Sequence, residues 1–447
     1  MNSRLVRFFL SFAFTLAVNI VTLAVSTLAV TALSAKPARA ESLQITFEGL
    51  KGLLEAKNSK LEASKLEVDA AAKREGYLHR SFLPSLEIYG KQESFRLGSA
   101  PQKSSPGYGA ELKLNFFNGG RDRLESEVRT LTKEKRGYQY QRVLSEELAK
   151  ARIHFWEILA LQEKIELLEN ALSINAEILK SAEKRIRSGV ATESDRMEFQ
   201  MKAVDLGRKL SEAKLNLQSQ KGEIAVLLQL DSIEDLNFPQ KLSHQHDFEQ
   251  LLKHTSKDHD FLTKEMEIHA KATQLSADSQ NRAWWPKLDA FAMLNQWNER
   301  EKDGPAASDR FETVLGLKVS MNFSAGLEAR NEAAALAKEA AGFEKMVHQQ
   351  KRELEIHLQN ELSELRLRHD QIHESEENIL RAEKYYKITQ SEYSRGVKNS
   401  PDVLGASEKL FDTKLMRIET LRDFQIAKAH VLQKAPPNIS GLGAAGD

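Results

Sequence analysis

The sequence predicts a mainly α protein with a small β part, built from one unit written twice. Three observations carry this. Landmarks recur at a nearly constant offset: Phe82-Leu83-Pro84-Ser85-Leu86 against Trp284-Trp285-Pro286-Lys287-Leu288, 202 apart. Phe117-Asn118-Gly119-Gly120 matches Phe323-Ser324-Ala325-Gly326, 206 apart, and Gly189-Val190 with Asp195 matches Gly396-Val397 with Asp402, 207 apart. Two proline-free stretches, 120–187 and 327–395, carry apolar residues at alternating spacings of four and three, the pattern of coiled-coil packing. Short segments of period-two alternation precede each of them.

The chain begins with an address. Arg4 and Arg7 open it, an apolar run from Phe8 to Leu33 follows, and Ala38-Arg39-Ala40 is a small-x-small cleavage pattern. Residues 1–40 therefore read as a secretory signal peptide. The run is also long enough to serve as an uncleaved anchor. No cysteine follows it, so lipoprotein anchoring is excluded, as are disulfides and thiolate metal sites. The formal charge of the whole chain is zero, 64 basic against 64 acidic. Four of the basic residues and none of the acidic ones lie in 1–40, so the remainder is mildly acidic, 60 against 64. That balance argues against a nucleic-acid partner.

Each half then follows the same order. The first repeat occupies 41–238 and the second 239–433, with a Pro- and Gly-containing tail, 434–447, expected to be disordered. Amphipathic helical stretches (41–80; 247–283) run into Pro84 and Pro286. Strands are expected near 82–97 and 106–118, and near 286–298 and 309–323. In the second strand of each pair, Tyr108, Ala110, Leu112, Leu114 and Phe116 alternate with Gly109, Glu111, Lys113 and Asn115. Likewise Leu315, Leu317, Val319, Met321 and Phe323 alternate with Gly316, Lys318, Ser320 and Asn322. Such segments suit a barrel with lipid outside and water inside, with a small soluble antiparallel sheet packed on a helix as the less favoured alternative. Phe116, Phe117, Phe323, Trp284, Trp285 and Trp297 fall at segment ends, where an interfacial girdle places aromatics.

The long stretches follow. In the first copy the seam runs Leu144, Leu148, Ala151, Phe155, Ile158, Leu161, Ile165, Leu168, Leu172, Leu179, Ala182 and Ile186. In the second it runs Leu354, Leu358, Leu362, Leu365, Ile372 and Ile379, with His369 and Glu376 in seam positions. A helix of nearly seventy residues is about 100 Å long. Gly turns end both stretches, and shorter helices return over 193–229 and 401–433. Thr192 is expected to cap the first return with Asp195 three residues on. Ser400-Pro401-Asp402 reads as a cap, a first-position proline and a first-turn acid.

Four strands cannot close a barrel, and an open sheet edge is not tolerated in hydrocarbon. Chains that insert such strands must pool them, and a trimer with twelve strands is the smaller assembly that leaves a pore. The repeat, the strand pairs entered through Pro84 and Pro286, the Phe-Asn-Gly-Gly corner and the Gly-Val turns resemble the TolC family of outer-membrane efflux proteins. The resemblance covers nearly all of 41–433 and implies a homotrimer with a shared twelve-stranded barrel in the outer membrane. It also implies a helical tunnel in the periplasm that serves as a passive exit duct in a tripartite efflux or type I secretion system. The implied partners are a periplasmic adaptor, an inner-membrane transporter and outer-membrane lipid. By the same resemblance, Gly189, Val190, Gly396 and Val397 are the tips that dock the adaptor. Asp195 and Asp402 would form the periplasmic gate. Asp402 lies on an Asp-Val-Leu-x-Ala pattern, but Gly405 stands where the family's second acid would be.

His369-Asp370-Gln371-Ile372-His373 sets two histidines one turn apart, but no third ligand is indicated. His244, His246, His254 and His259 lie in and beside the polar link between the repeats. With no phosphate loop, nucleophile elbow or paired carboxylates, no catalytic residue, metal or cofactor is assigned, and no enzyme is expected. The competing reading is a soluble periplasmic coiled-coil adaptor or envelope scaffolding protein with a small sheet.

Overall fold

Long runs of good helix formers without proline fix most of this chain as helix, and the computed structural model bears this out over residues 43–76, 81–95, 103–189, 192–234, 236–243, 260–297 and 310–434. In order, the elements are β1 (Leu43–Gln44), α1 (Leu50–Lys57), α2 (Ser59–Arg74), β2 (Ser85–Phe95), β3 (Lys103–Asn118), α3 (Arg121–Arg187) and α4 (Glu193–Leu227). They continue with β4 (Leu236–Asn237), α5 (Phe261–Asn281), β5 (Lys287–Trp297), β6 (Arg310–Ser320), α6 (Phe323–Ser394) and α7 (Ser400–Gln433). The chain divides into a small unit, in which β1 pairs with β4 in parallel, and a large unit that holds the rest. The signal-like segment, the tail beyond Lys434 and the four link histidines lie outside the described residues.

In the large unit, α3 runs beside α4, α7, α5 and α2, and α6 runs beside α7 and α5. The predicted seam of α3 is buried at Leu144, Leu148, Ala151, Phe155, Ile158, Leu168 and Ala182. Between Glu147 and Ala160, however, α3 is enclosed well beyond that seam, with Trp156, Leu159 and Ala160 also buried. Phe47 and Phe238 close over Phe155 with ring centroids 6.0 and 5.9 Å away, so loops wrap the helix here. Arg152 is buried in this band with its guanidinium 5.2 Å from the Phe47 ring, and burial lowers its pKa to about 10. On α6 the seam departs from expectation. Glu376 is exposed and Ser375 is buried in its place, after which Ala382, Tyr386, Thr389 and Tyr393 continue it. The line from Ile372 through Ser375 keeps small groups inside and leaves the carboxylate in water.

The helix predicted over 41–80 is broken at Asn58, which caps α2 by accepting from the Lys60 and Leu61 N–H groups. Its amide also donates to the Leu227 carbonyl at 2.9 Å, which ties the two ends of the first repeat together.

Strands β2, β3, β5 and β6 form one antiparallel sheet in that order, leaving β2 and β6 as its edges. Three boundaries differ from the expected ones, and the first is the start of β2 at Ser85, after Pro84, where 82 was expected. β3 begins at Lys103, through Pro106, because residues 103–106 pair with β2 alone, and proline is tolerated at such an edge. β6 stops at Ser320 and α6 starts at Phe323, so Phe323 opens the helix and does not end the strand. The first copy needs Gly119 and Gly120 at positive φ for its corner, with Gly119 packed under Trp285, where a Cβ would lie 2.8 Å from that side chain. The second copy, without the Gly-Gly pair, passes into helix directly.

Candidate channel surfaces and helix tips

The pleat sorts the sheet into two unlike faces. Cross-strand registers put Leu86, Leu112, Ala292 and Leu315 in one row, and Ile88, Ala110, Leu294 and Thr313 in the next. Leu114, Ala290 and Leu317 extend the same face. Nothing described covers it: Ile88 and Leu315 are each 78% exposed, and Leu317 is 71%. The opposite face carries Glu87, Tyr89, Glu111, Lys113, Asn115, Asp289, Asn295 and Lys318. There Asp289 is 7% exposed and accepts an ion pair from Lys113 at 3.3 Å. A sheet with its oily side bare while Asp289 and Asn295 on its polar side are buried is inside-out for a soluble protein.

Phe116, Phe117, Trp284, Trp285 and Phe323 are exposed at the helix end of this sheet, as a girdle would be. A β-bulge between Asn115 and Phe117 turns both phenylalanines outward. The Trp297 side chain lies outside the described residues. No described helix is long and apolar enough to cross a membrane.

At the other end of the long helices, Gly189 (φ 74°) and Gly396 (φ 80°) end α3 and α6 in the left-handed region, with open space where a side chain would point. Val397 is 71% exposed, and Val190 lies outside the described residues. Asp195 closes a capping box with Thr192, whose N–H donates at 2.7 Å and hydroxyl at 3.0 Å. Asp402 closes the equivalent box, but the cap is Asn399: each donates its N–H to the other's side chain at 3.2 Å. Pro401 is therefore the second helical residue, and Ser400, expected as the cap, is buried as the first. The amide of Asn399 serves the cap, so the Ser400 hydroxyl can turn inward.

That inward turn completes a clasp between the two halves that local sequence patterns missed. Arg185 of α3 donates to the Tyr393 carbonyl of α6 at 2.6 Å, and its guanidinium lies 4.1 Å from the Tyr393 ring. The Tyr393 hydroxyl meets Ser400 Oγ at 3.4 Å. Burial acts to raise the Asp195 carboxyl, but the Thr192 N–H and hydroxyl, the Ser400 hydroxyl and Arg185 together hold it below the usual carboxylate range. Ile178, Ala182, Phe199 and Val403 pack beneath the clasp. Asp402 stands outside it, partly exposed, with Lys398 4.0 Å away. The signal that could have found it is a tyrosine on the seam of α6 one turn before the Gly, opposite an arginine one turn before the other Gly.

The outermost helices of the large unit carry bare apolar residues as well. On α4 these are Met197, Met201, Val204, Leu215 and Val226, and on α6 Ile356, Leu367, Leu380 and Ile388. His369 and His373 stack edge to face at 5.2 Å, with Phe424 against His369, and no group of three or more metal-ligating side chains occurs among the described residues.

Residues 50–228 match the family model described as outer membrane efflux protein. No curated protein sequence is a match. Among solved structures, the chain is similar to the outer-membrane channel OprN, at a TM-score of 0.73 and 14% identity, covering 91% of this chain and 95% of that one. It is also similar to the outer membrane protein VceC of Vibrio cholerae (TM-score 0.70, 16% identity, 87% of this chain and 96% of that one). A third likeness is to the CmeC outer membrane channel of Campylobacter jejuni (TM-score 0.68, 13% identity, 90% of each chain).

Proposed function

We propose that this chain is a member of the TolC family of outer membrane efflux proteins and the outer-membrane exit duct of a tripartite efflux or type I secretion system, a reading supported by the family match over residues 50–228 and by the fold. One observation carries the reading: among the described residues, the four-stranded sheet has a bare apolar face and two unpaired edges. Lipid satisfies the face but not the edges, so the strands of several chains close one barrel. Three copies supply twelve strands, enough to leave a water-filled lumen lined by the polar face. The exposed apolar residues along α4 and α6 favour the same homotrimer, since a second copy would cover them. The helical part lies in the periplasm. Transport is passive, and an inner-membrane transporter supplies the energy. A soluble adaptor is disfavoured because its sheet would have to hide Ile88, Leu315 and Leu317, and no described residue does.

The test is fractionation. A heat-modifiable oligomer in the outer-membrane fraction that conducts ions in planar bilayers is the expected result. A protein released from envelopes by salt or carbonate overturns the barrel.

We assign adaptor docking to the tips Gly189, Val190, Gly396 and Val397, supported by the protruding turns and the exposure of Val397. A cysteine at Gly396 should crosslink to the periplasmic adaptor in cells that export. Failure to crosslink in such cells, with the same cysteine reactive toward a soluble maleimide, removes the assignment. Asp195 and Asp402 are assigned to the gate, with unequal parts: Asp195 is tied into the Arg185–Tyr393–Ser400 clasp, whereas Asp402 offers a partly free carboxylate to cations.

A further inference from the structure

On the polar face of the sheet, each hairpin sets an aromatic residue directly opposite a glycine. Tyr89 pairs with Gly109 across β2 and β3, and Phe291 pairs with Gly316 across β5 and β6. The two pairs are repeat equivalents, since Tyr89 and Phe291 are 202 residues apart and Gly109 and Gly316 are 207 apart, the same offsets as the landmarks of the duplication. In both, the ring lies on the glycine. A Cβ on Gly109 would fall 2.6 Å from the tip carbon of the Tyr89 ring, and one on Gly316 would fall 2.7 Å from that of Phe291. Tyr89 reaches past Gly109 to the third strand, where its hydroxyl donates to Asn295 Oδ1 at 2.5 Å, and Asn295 is itself only 8% exposed. Glycine is poorly suited to a strand interior, and its use there marks a close approach. Here the approach is that of a ring laid flat along the wall.

We propose that Tyr89 and Phe291 form a collar of aromatic rings in the lumen, and that Gly109 and Gly316 hold the collar flat and so set the free width of the barrel. The inference rests on the duct reading, in which this face lines the pore. Like positions in duplicated halves come to like heights when the halves are related by rotation about the pore axis, so a trimer presents six rings in one belt. Any side chain at either glycine lifts its ring off the wall and into the passage.

The test uses the full-length trimer in planar bilayers, with neutral polyethylene glycols of graded size added on the barrel side alone, so that the far helix tips do not enter the reading. The wild-type protein must conduct; if it does not, the duct reading itself fails. In the Gly109→Ala/Gly316→Ala variant, the largest polymer that enters from the barrel side should become smaller, as expected when a pore constriction narrows. Adding Tyr89→Ala and Phe291→Ala to that variant should restore at least the wild-type cut-off. An unchanged polymer cut-off in the glycine variant, or a reduction that persists without the rings, overturns the collar. Where the glycine variant does not assemble, Tyr89→Ala/Phe291→Ala alone should admit larger polymers than wild type, and an unchanged cut-off then overturns it.

Discussion

Replacing Arg185 with alanine is expected to raise the open fraction of the reconstituted channel by more than tenfold. Arg185 joins the last turn of α3 to the last turn of α6 in two ways, by a hydrogen bond to the Tyr393 carbonyl and by lying over the Tyr393 ring. A hydrogen bond from a charged donor contributes roughly 1.5–3 kcal/mol and a cation–π contact about 0.5–2. If the clasp holds the tips of the duct closed, even about 2 kcal/mol lost from one tip shifts its equilibrium by about thirtyfold. A homotrimer loses it three times. Single-channel recording reads this directly, and a mutant that opens no more often than wild type removes the clasp from gating. Asp195→Asn should open the channel less, since Thr192 can still cap through its own hydroxyl. Asp402→Asn should leave opening nearly unchanged but weaken block by divalent cations, because its carboxylate lies outside the clasp. The pH dependence has a definite sign. The Asp195 carboxyl is held below its unfolded value, so its contribution is complete above the usual carboxylate range and is lost as the pH falls below about 4. Opening should therefore be flat between pH 5 and 8 and rise below that range.

The seam of α3 was legible because a stretch such as Leu144 to Phe155 places apolar residues every three or four positions, and burial follows the period. The bare face of the sheet was legible for the same reason at period two. The clasp was not, since Arg185 and Tyr393 lie 208 residues apart and meet only because the duplicated hairpins pack side by side. Nor was the band from Glu147 to Ala160, where Phe47 and Phe238 arrive from loops with no period of their own. Local chemistry also misled at two points. Ser400 before Pro401 looks like a helix cap, yet Asn399 takes that role because its amide bonds the Asp402 N–H while Ser400 faces Tyr393. Phe323 continued the alternation of β6 on paper, but the chain was already helical there. Alternation and helical periodicity agree over so short a span, and only the ladder ending at Ser320 separates them.

Lysine at Leu315 should abolish assembly of the membrane-inserted oligomer, while lysine at Val314 should not. Leu315 lies midway along β6 (Arg310–Ser320), on the face left bare, and is 78% exposed. If that face meets hydrocarbon, the middle of β6 lies near the bilayer midplane, where a lysine costs about 2–4 kcal/mol. Every such substitution enters a trimer three times, so the penalty per assembled barrel approaches the whole stability of a small domain, which is about 5–15 kcal/mol. Val314 is the neighbour of Leu315 and points to the other face by the alternation of the pleat, so the same charge there would lie in water. The comparison holds residue type, strand and depth nearly constant and changes only the side of the sheet. Heat-modifiable oligomer recovered from the outer-membrane fraction is the measure, with urea resistance in lipid vesicles as its quantitative form. Equal recovery of the Leu315→Lys and Val314→Lys proteins would mean that neither face meets lipid. Loss with Val314→Lys alone would mean that the sheet is inserted the other way out, and the polar residues of the second face, Asp289 and Lys113 among them, would then need a different account.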